Sequence, residues 1–167
     1  MVLESKIEID APPATVREVL LNFSSFPEWH TEWLKSIEIL DKSKTGETLT
    51  AGDKVKVCIE GFKFVAEIKE NSEELFSWQG PPVFTIAGLH GFRMEPIKDG
   101  KATLFTQSED LKGLLSFLMS PSFLGKRMRA DYAVFNKHLK ARAEAAVSSS
   151  SEPASETAAP LPESTST

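Results

Sequence analysis

The chain has 167 residues, 41% of them apolar and including 11 Phe and 3 Trp, which is enough for one domain with a real hydrophobic core. Its formal net charge is −5 at pH 7, and three Glu of that balance sit in the final stretch, residues 148–167, so the foldable part is close to neutral. This excludes the basic face of a nucleic-acid binder and gives no electrostatic pull toward an anionic membrane.

Cys58 is the single cysteine, so an intramolecular disulfide and a cysteine-zinc cluster are excluded. The opening MVLESKIEID has no apolar run of signal-peptide length, and no segment approaches the ~18–20 apolar residues of a bilayer span. The expectation is a cytoplasmic protein, a monomer or weak dimer, with no stable membrane insertion. The closing SSSSEPASETAAPLPESTST has no aromatic and no basic residue and reads as a disordered tail, 148–167, behind a domain at 1–147.

In chain order, Ser5, Ile7 and Ile9 alternate with Glu4, Lys6 and Glu8, the period of a strand with one buried face. Asp10-Ala11-Pro12-Pro13 ends it, since proline lacks the ladder N–H, and Val16, Val19, Leu20 and Phe23 continue at helical spacing over 14–23. Ser24-Ser25-Phe26-Pro27-Glu28-Trp29-His30 breaks that helix and starts a second, short one toward 33–35, with Ser24 or Ser25 as its cap. Alternation then predicts strands at 35–41, 53–59, 62–69 and 75–79, with Gly61 between the second and third of these. His90, Phe92 and Met94 alternate before Lys98-Asp99-Gly100-Lys101, a two-residue Asp-Gly hairpin signal, and the chain returns over 102–109. In that register Met94 faces Phe105, Phe92 faces Gln107 and His90 faces Glu109, all on one side of the sheet. An apolar run at 113–119, containing Phe117, reads as core or as a flap.

The last foldable stretch, 122–146, places Leu124, Met128, Tyr132, Phe135 and Leu139 on one helix face, with basic residues on the others. At about 1.5 Å per residue it is on the order of 37 Å long, and its stripe needs a surface to cover it. Strand, two short helices, a run of strands and a long helix describe an α+β fold with a meandering antiparallel sheet.

By strand parity and helix face, Phe62, Phe64, Trp78, Phe92, Met94 and Phe105 with Met128, Tyr132 and Phe135 form an aromatic-rich inner wall, with Trp29, His30 and Trp33 near one rim. A wall of this kind suits a cavity for a hydrophobic small molecule. The sharpest chemical candidate is His90 opposite Glu109, with Gln107 diagonally beside them. A carboxylate against an imidazole fixes its tautomer and makes a general acid or base near neutral pH. Proton transfer of this sort requires no metal and no redox cofactor, and no nucleophile elbow, phosphate loop or paired-His metal motif occurs. His138, among Lys137 and Lys140, reads as solvent-facing.

Ile9-Asp10-Ala11-Pro12-Pro13-Ala14-Thr15-Val16, Phe26-Pro27-Glu28-Trp29, Gly88-Leu89-His90-Gly91-Phe92, Thr106-Gln107-Ser108-Glu109 with Gly113, and Asn136-Lys137-His138-Leu139-Lys140 resemble the SRPBCC or START-like superfamily, in its polyketide cyclase/dehydrase-like branch. The resemblance implies a helix-grip fold: a bent antiparallel sheet of about seven strands around the last helix, with two short helices after strand 1 and a deep apolar cavity. Three functions follow as expectations: binding of a lipid-, aromatic- or polyketide-like molecule, cofactor-free cyclase or dehydratase chemistry using His90 and Glu109, and protein interaction through the 113–119 run and the tail.

Overall fold

The computed structural model describes residues 2–82, 87–113 and 123–151. The elements are β1 (Val2–Ile9), α1 (Pro13–Leu21), a 3-10 turn (Phe23–Ser25), α2 (Phe26–Trp29), β2 (Leu34–Ile39), β3 (Lys54–Ile59), β4 (Phe62–Asn71), β5 (Leu75–Gln79), β6 (Ala87–Ile97), β7 (Ala102–Lys112) and α3 (Phe123–Ser151). The seven strands form one antiparallel sheet in the order β1-β7-β6-β5-β4-β3-β2. It is a meander from β2 to β7, with β1 returning to the far edge. Register shifts at Leu34/Ser36 and Ile68/Glu70 bend β2 and β4 and help to curve the sheet around α3. Among the described residues no helix is long and apolar enough to cross a membrane.

The β6–β7 register matches the expected one, with Met94 opposite Phe105, Phe92 opposite Gln107 and His90 opposite Glu109. The turn itself is wider than a two-residue loop. Lys98, Asp99 and Gly100 all have positive φ, and residues 98–101 lie outside the ladder. The Lys98 ammonium donates to Asp10 Oδ1 at 2.8 Å.

Helix α2 is shorter than its sequence suggests: His30 is already extended at φ −145° and ψ 115°. The Ser25 hydroxyl is also diverted from capping. It donates to Asn22 O at 2.8 Å and accepts the Trp29 indole N–H at 3.3 Å. At the other end of the chain α3 continues through Ser151, so the first residues of the expected tail, Ser148 to Ser151, are helical. Residues 152–167 and the 114–119 part of the expected flap, Phe117 included, lie outside the described residues.

The core sits between α3 and the concave face of the sheet. Tyr132, Phe135, Leu139 and Ala143 recur at steps of three and four along α3 and are fully buried. Opposite them Phe92 packs 5.8 Å from Phe135, 6.2 Å from Phe76 and 6.1 Å from Phe105, and Phe26 closes the group 6.1 Å from Phe135. Helix α1 adds Val16, Leu20 and Leu21. Asn136, buried on the same helix, donates to Ser5 O at 3.2 Å and ties α3 to β1.

Two polar devices lock this packing. The Asn71 amide donates to Gly46 O at 3.1 Å, Glu47 O at 3.3 Å and Leu49 O at 2.8 Å, while its carbonyl accepts from Arg17 at 2.8 Å. His30 and His138 meet Nδ1 to Nδ1 at 3.0 Å, and the Leu34 N–H donates to His30 Nε2 at 3.4 Å. The second pair overturns the sequence reading of both histidines. His30 is 1% exposed rather than at a rim, and His138 turns inward to it because the chain after α2 runs extended beneath α3. With Nε2 accepting, His30 donates from Nδ1 to His138, so both rings are neutral.

Replacing Asn71 with Ala strands three carbonyls and a guanidinium at once. The expected loss is about 2 to 3 kcal/mol of unfolding free energy by urea denaturation. His30 gives a pH signature: burial, and then the neighbouring His138, lower its pKa from 6.5 to about 4. The unfolded chain therefore takes up this proton first. Stability from the neutral pair is complete above pH 6.5 and drains away as the pH falls toward 4, by on the order of 2 kcal/mol. A His30→Gln variant should show a flatter stability profile across that window, and an unchanged slope would contradict the assignment.

Candidate functional site

Toward the N-terminal end of α3 the ring packing stops. There the described residues bound a cavity of about 500 Å3, lined by Trp33, Ile59, Phe62, Phe64, Trp78 and Leu111 from the sheet side and by Met128 and Tyr132 from the helix, with Gly80, Pro81 and Gly88 at strand ends. Local sequence explains each position. Trp78, His90 and Glu109 lie in one cross-strand row, Trp78 opposite His90 and His90 opposite Glu109, so parity aims all three at the helix. Phe62 and Phe64 stand two apart on β4 behind the Glu60-Gly61 turn, whose φ values of 49° and 95° make the tight reversal from β3. Phe62, at 65% exposure, reaches past the cavity into solvent.

The polar part of the wall is concentrated on Glu109. His90 Nδ1–H donates to Glu109 Oε2 at 2.6 Å, and the Tyr132 hydroxyl donates to the same oxygen at 3.3 Å. Because a carboxylate only accepts, the His90 proton is on Nδ1, and Nε2 accepts from the Gln107 amide at 3.0 Å. Burial first, and the Glu109 carboxylate second, push the Tyr132 phenol well above its ordinary range, so it stays a donor. The imidazole is clamped between rings: Trp78 stacks on it at 4.9 Å and 16°, and Trp33 and Tyr132 lie 5.6 and 5.3 Å away. At the rim Arg127 pairs with Glu60 and reaches Asp131 at 3.9 Å. Burial and Glu60 raise the Asp131 carboxyl, against the pull of Arg127.

Of the residues singled out from sequence, Trp33, Phe62, Phe64, Trp78, His90, Glu109, Met128 and Tyr132 come together around this cavity. Trp29, His30, Phe92, Met94, Phe105, Gln107 and Phe135 do not. Phe92, Met94, Phe105, Gln107 and Phe135 are fully buried in the packed part of the interior, and the partly buried Trp29 packs 4.9 Å from Phe26 and 5.5 Å from Phe135. Sequence reasoning missed Ile59, Glu60, Gly88, Leu111, Arg127 and Asp131. Gly88 and Leu111 carried a signal, since each lies two residues from His90 or Glu109 on the same strand face. A second hollow of about 600 Å3 has a mixed lining, in which Glu18, Lys42, Lys44 and Glu47 stand beside Leu21, Phe23, Ile37 and Ile39. Among the described residues no group of three or more His, Cys, Asp or Glu is placed to hold a metal ion.

The fold has many relatives. A START superfamily protein from Mycobacterium smegmatis is similar, with a TM-score of 0.65 at 17% identity over 87% of this chain and 98% of that one. An aromatase/cyclase from Streptomyces sp. R1128 gives a TM-score of 0.64 at 12% identity over 90% and 98%. A hypothetical protein from Helicobacter pylori gives 0.66 at 14% over 86% and 88%. At these identities the likeness shows the shared helix-grip fold and no more. No curated protein matches the sequence. The family described as "Polyketide cyclase / dehydrase and lipid transport" matches residues 2–144, and the chain belongs to that family.

Proposed function

We infer that this protein binds a hydrophobic small molecule in the cavity between α3 and the ends of β3 to β7. The observation that supports this best is the contrast between the two halves of the interior. The half around Phe92 and Phe135 is filled by interlocking rings, while the half around Trp33, Phe64, Trp78 and Met128 leaves about 500 Å3 with mostly apolar walls. Burying ~300 Å2 of ligand apolar surface at ~25 cal/mol per Å2 contributes about 7 kcal/mol before association costs, enough for micromolar binding without any covalent step.

A second reading, cofactor-independent proton transfer of the cyclase or dehydratase kind, is favoured by one observation: His90 and Glu109 are 2.6 Å apart and both border the cavity. Both ring nitrogens of His90 are engaged, so a catalytic role for the imidazole needs Gln107 to let go of Nε2 first.

Truncation on the two sides of the interior separates a cavity wall from plain core. With the neutral dye N-phenyl-1-naphthylamine, Phe64→Ala should weaken binding roughly fivefold, the equivalent of about 1 kcal/mol of lost contact, and leave the fold largely as stable as before. Phe92→Ala should do the reverse, costing about 3 to 5 kcal/mol of stability by cavity formation in the packed half. Equal dye affinity in wild type and Phe64→Ala would remove the binding site from this cavity.

A further inference from the structure

The polar quartet has an asymmetry that bears on what the cavity accepts. Glu109 Oε2 receives both donors, from His90 and Tyr132, whereas Oε1 makes no hydrogen bond among the described residues. The Glu109 side chain is 13% exposed and lines the cavity, so Oε1 is an open acceptor in otherwise apolar surroundings. His90 is 3% exposed, with both nitrogens occupied, and offers a ligand nothing.

The carboxylate is built into this posture. It folds across Gly88, where a Cβ would lie 2.0 Å from Oε1. A side chain at 88 would have to push the carboxylate aside, so glycine there leaves the acceptor its place. The other charges of the lining sum to −1, one arginine against two carboxylates, and Arg127 is engaged by both Glu60 and Asp131. Among the described lining residues no cation is left for an anionic ligand, and an unsatisfied carboxylate already stands in the wall.

We propose that Glu109, rather than His90, is the group that reads the ligand. It selects an apolar ligand that carries a hydrogen-bond-donating group and excludes ligands that present a carboxylate. His90, Tyr132 and Gln107 are positioning residues: they hold Oε2 and so aim Oε1. The physical basis is the high cost of leaving an acceptor or a charge without a partner in an apolar site. This inference rests on the binding reading given above and adds the ligand's polar end to it.

The test is calorimetric titration of the full chain with three ligands on one scaffold: 2-naphthol, 2-methylnaphthalene and 2-naphthoate. In the wild type 2-naphthol should bind about tenfold tighter than 2-methylnaphthalene, the worth of a hydrogen bond to a charged acceptor, and 2-naphthoate about tenfold weaker. Glu109→Gln keeps the shape and removes the charge, and should bring 2-naphthol and 2-methylnaphthalene within about threefold and relieve the 2-naphthoate penalty. Gly88→Ala, which displaces Oε1 without touching the carboxylate's chemistry, should narrow the 2-naphthol advantage in the same way. The wild-type ranking stands as a test by itself should a variant fold poorly. 2-Naphthoate binding as tightly as 2-naphthol, or an advantage of 2-naphthol unchanged in both variants, would overturn the proposal. If all three ligands bind within about threefold of one another, both donor selection and carboxylate exclusion fail while the binding reading stands; if none binds, the binding reading beneath them fails as well.

Discussion

The structure depends on how α3 is held against the concave side of the sheet. A helix with a single apolar stripe has little stability of its own in water, and most of what it gains comes from tertiary packing. Here Tyr132, Phe135, Leu139 and Ala143 supply that packing, and Asn136 fixes the helix lengthwise on β1 through Ser5. The contact is tight toward the C-terminal half, where α1 and the aromatic rings of β5 and β6 close in. Tyr132 marks its limit. One turn earlier Met128 is only partly buried, and the cavity begins there. The same curvature that lets the sheet grip the helix at one end leaves the two apart at the other.

What fills the gap between fold and function is the chemistry of that end. A helix-grip fold hosts unrelated activities, so membership of the family speaks to the presence of a pocket and the site must speak for its use. The surface ion pairs, such as Lys98 with Asp10 or Arg142 with Glu28, are solvent-screened and contribute little to either. The quartet of Gln107, His90, Glu109 and Tyr132 is different. Each hydrogen bond in it stands in a poorly solvated setting, walled by Trp33 and Trp78, where polar groups are costly to leave unsatisfied. One atom is orphaned even so: Gln107 Oε1 is buried with no hydrogen-bond partner. Only its amide nitrogen serves the network, and the His90 tautomer is fixed by the contact of Nδ1 with the Glu109 carboxylate.

The succession of strands and the β6–β7 register were legible in the sequence because period-two alternation and an Asp-Gly turn leave few alternatives, whereas the place of β1 beside β7 was not. His90 against Glu109 followed from that register alone. The helix stripe was legible from apolar residues at steps of three and four. The depth of each side chain was not. Parity places Phe92, Met94 and Phe105 on the cavity side of the sheet, yet whether a ring lines a space or fills it depends on what α2 and α3 bring opposite, which no local pattern encodes. The pairing of His30 with His138 was invisible because the residues are far apart in sequence and each, taken locally, looks like a surface histidine. The end of helix α2 was equally hidden: His30 is already extended, although the residues around it are compatible with a helix.

The three tryptophans offer the most direct test of a half-filled interior. Trp33 and Trp78 line the cavity, while the Trp29 indole is locked onto Ser25 Oγ in the packed half. In a 15N-labelled sample titrated with a neutral apolar ligand such as 2-naphthol, the indole N–H signals of Trp33 and Trp78 should move with the ligand and that of Trp29 should stay in place. Signals that never move, or a Trp29 signal that moves as far as the other two, would contradict the division of the interior into core and cavity.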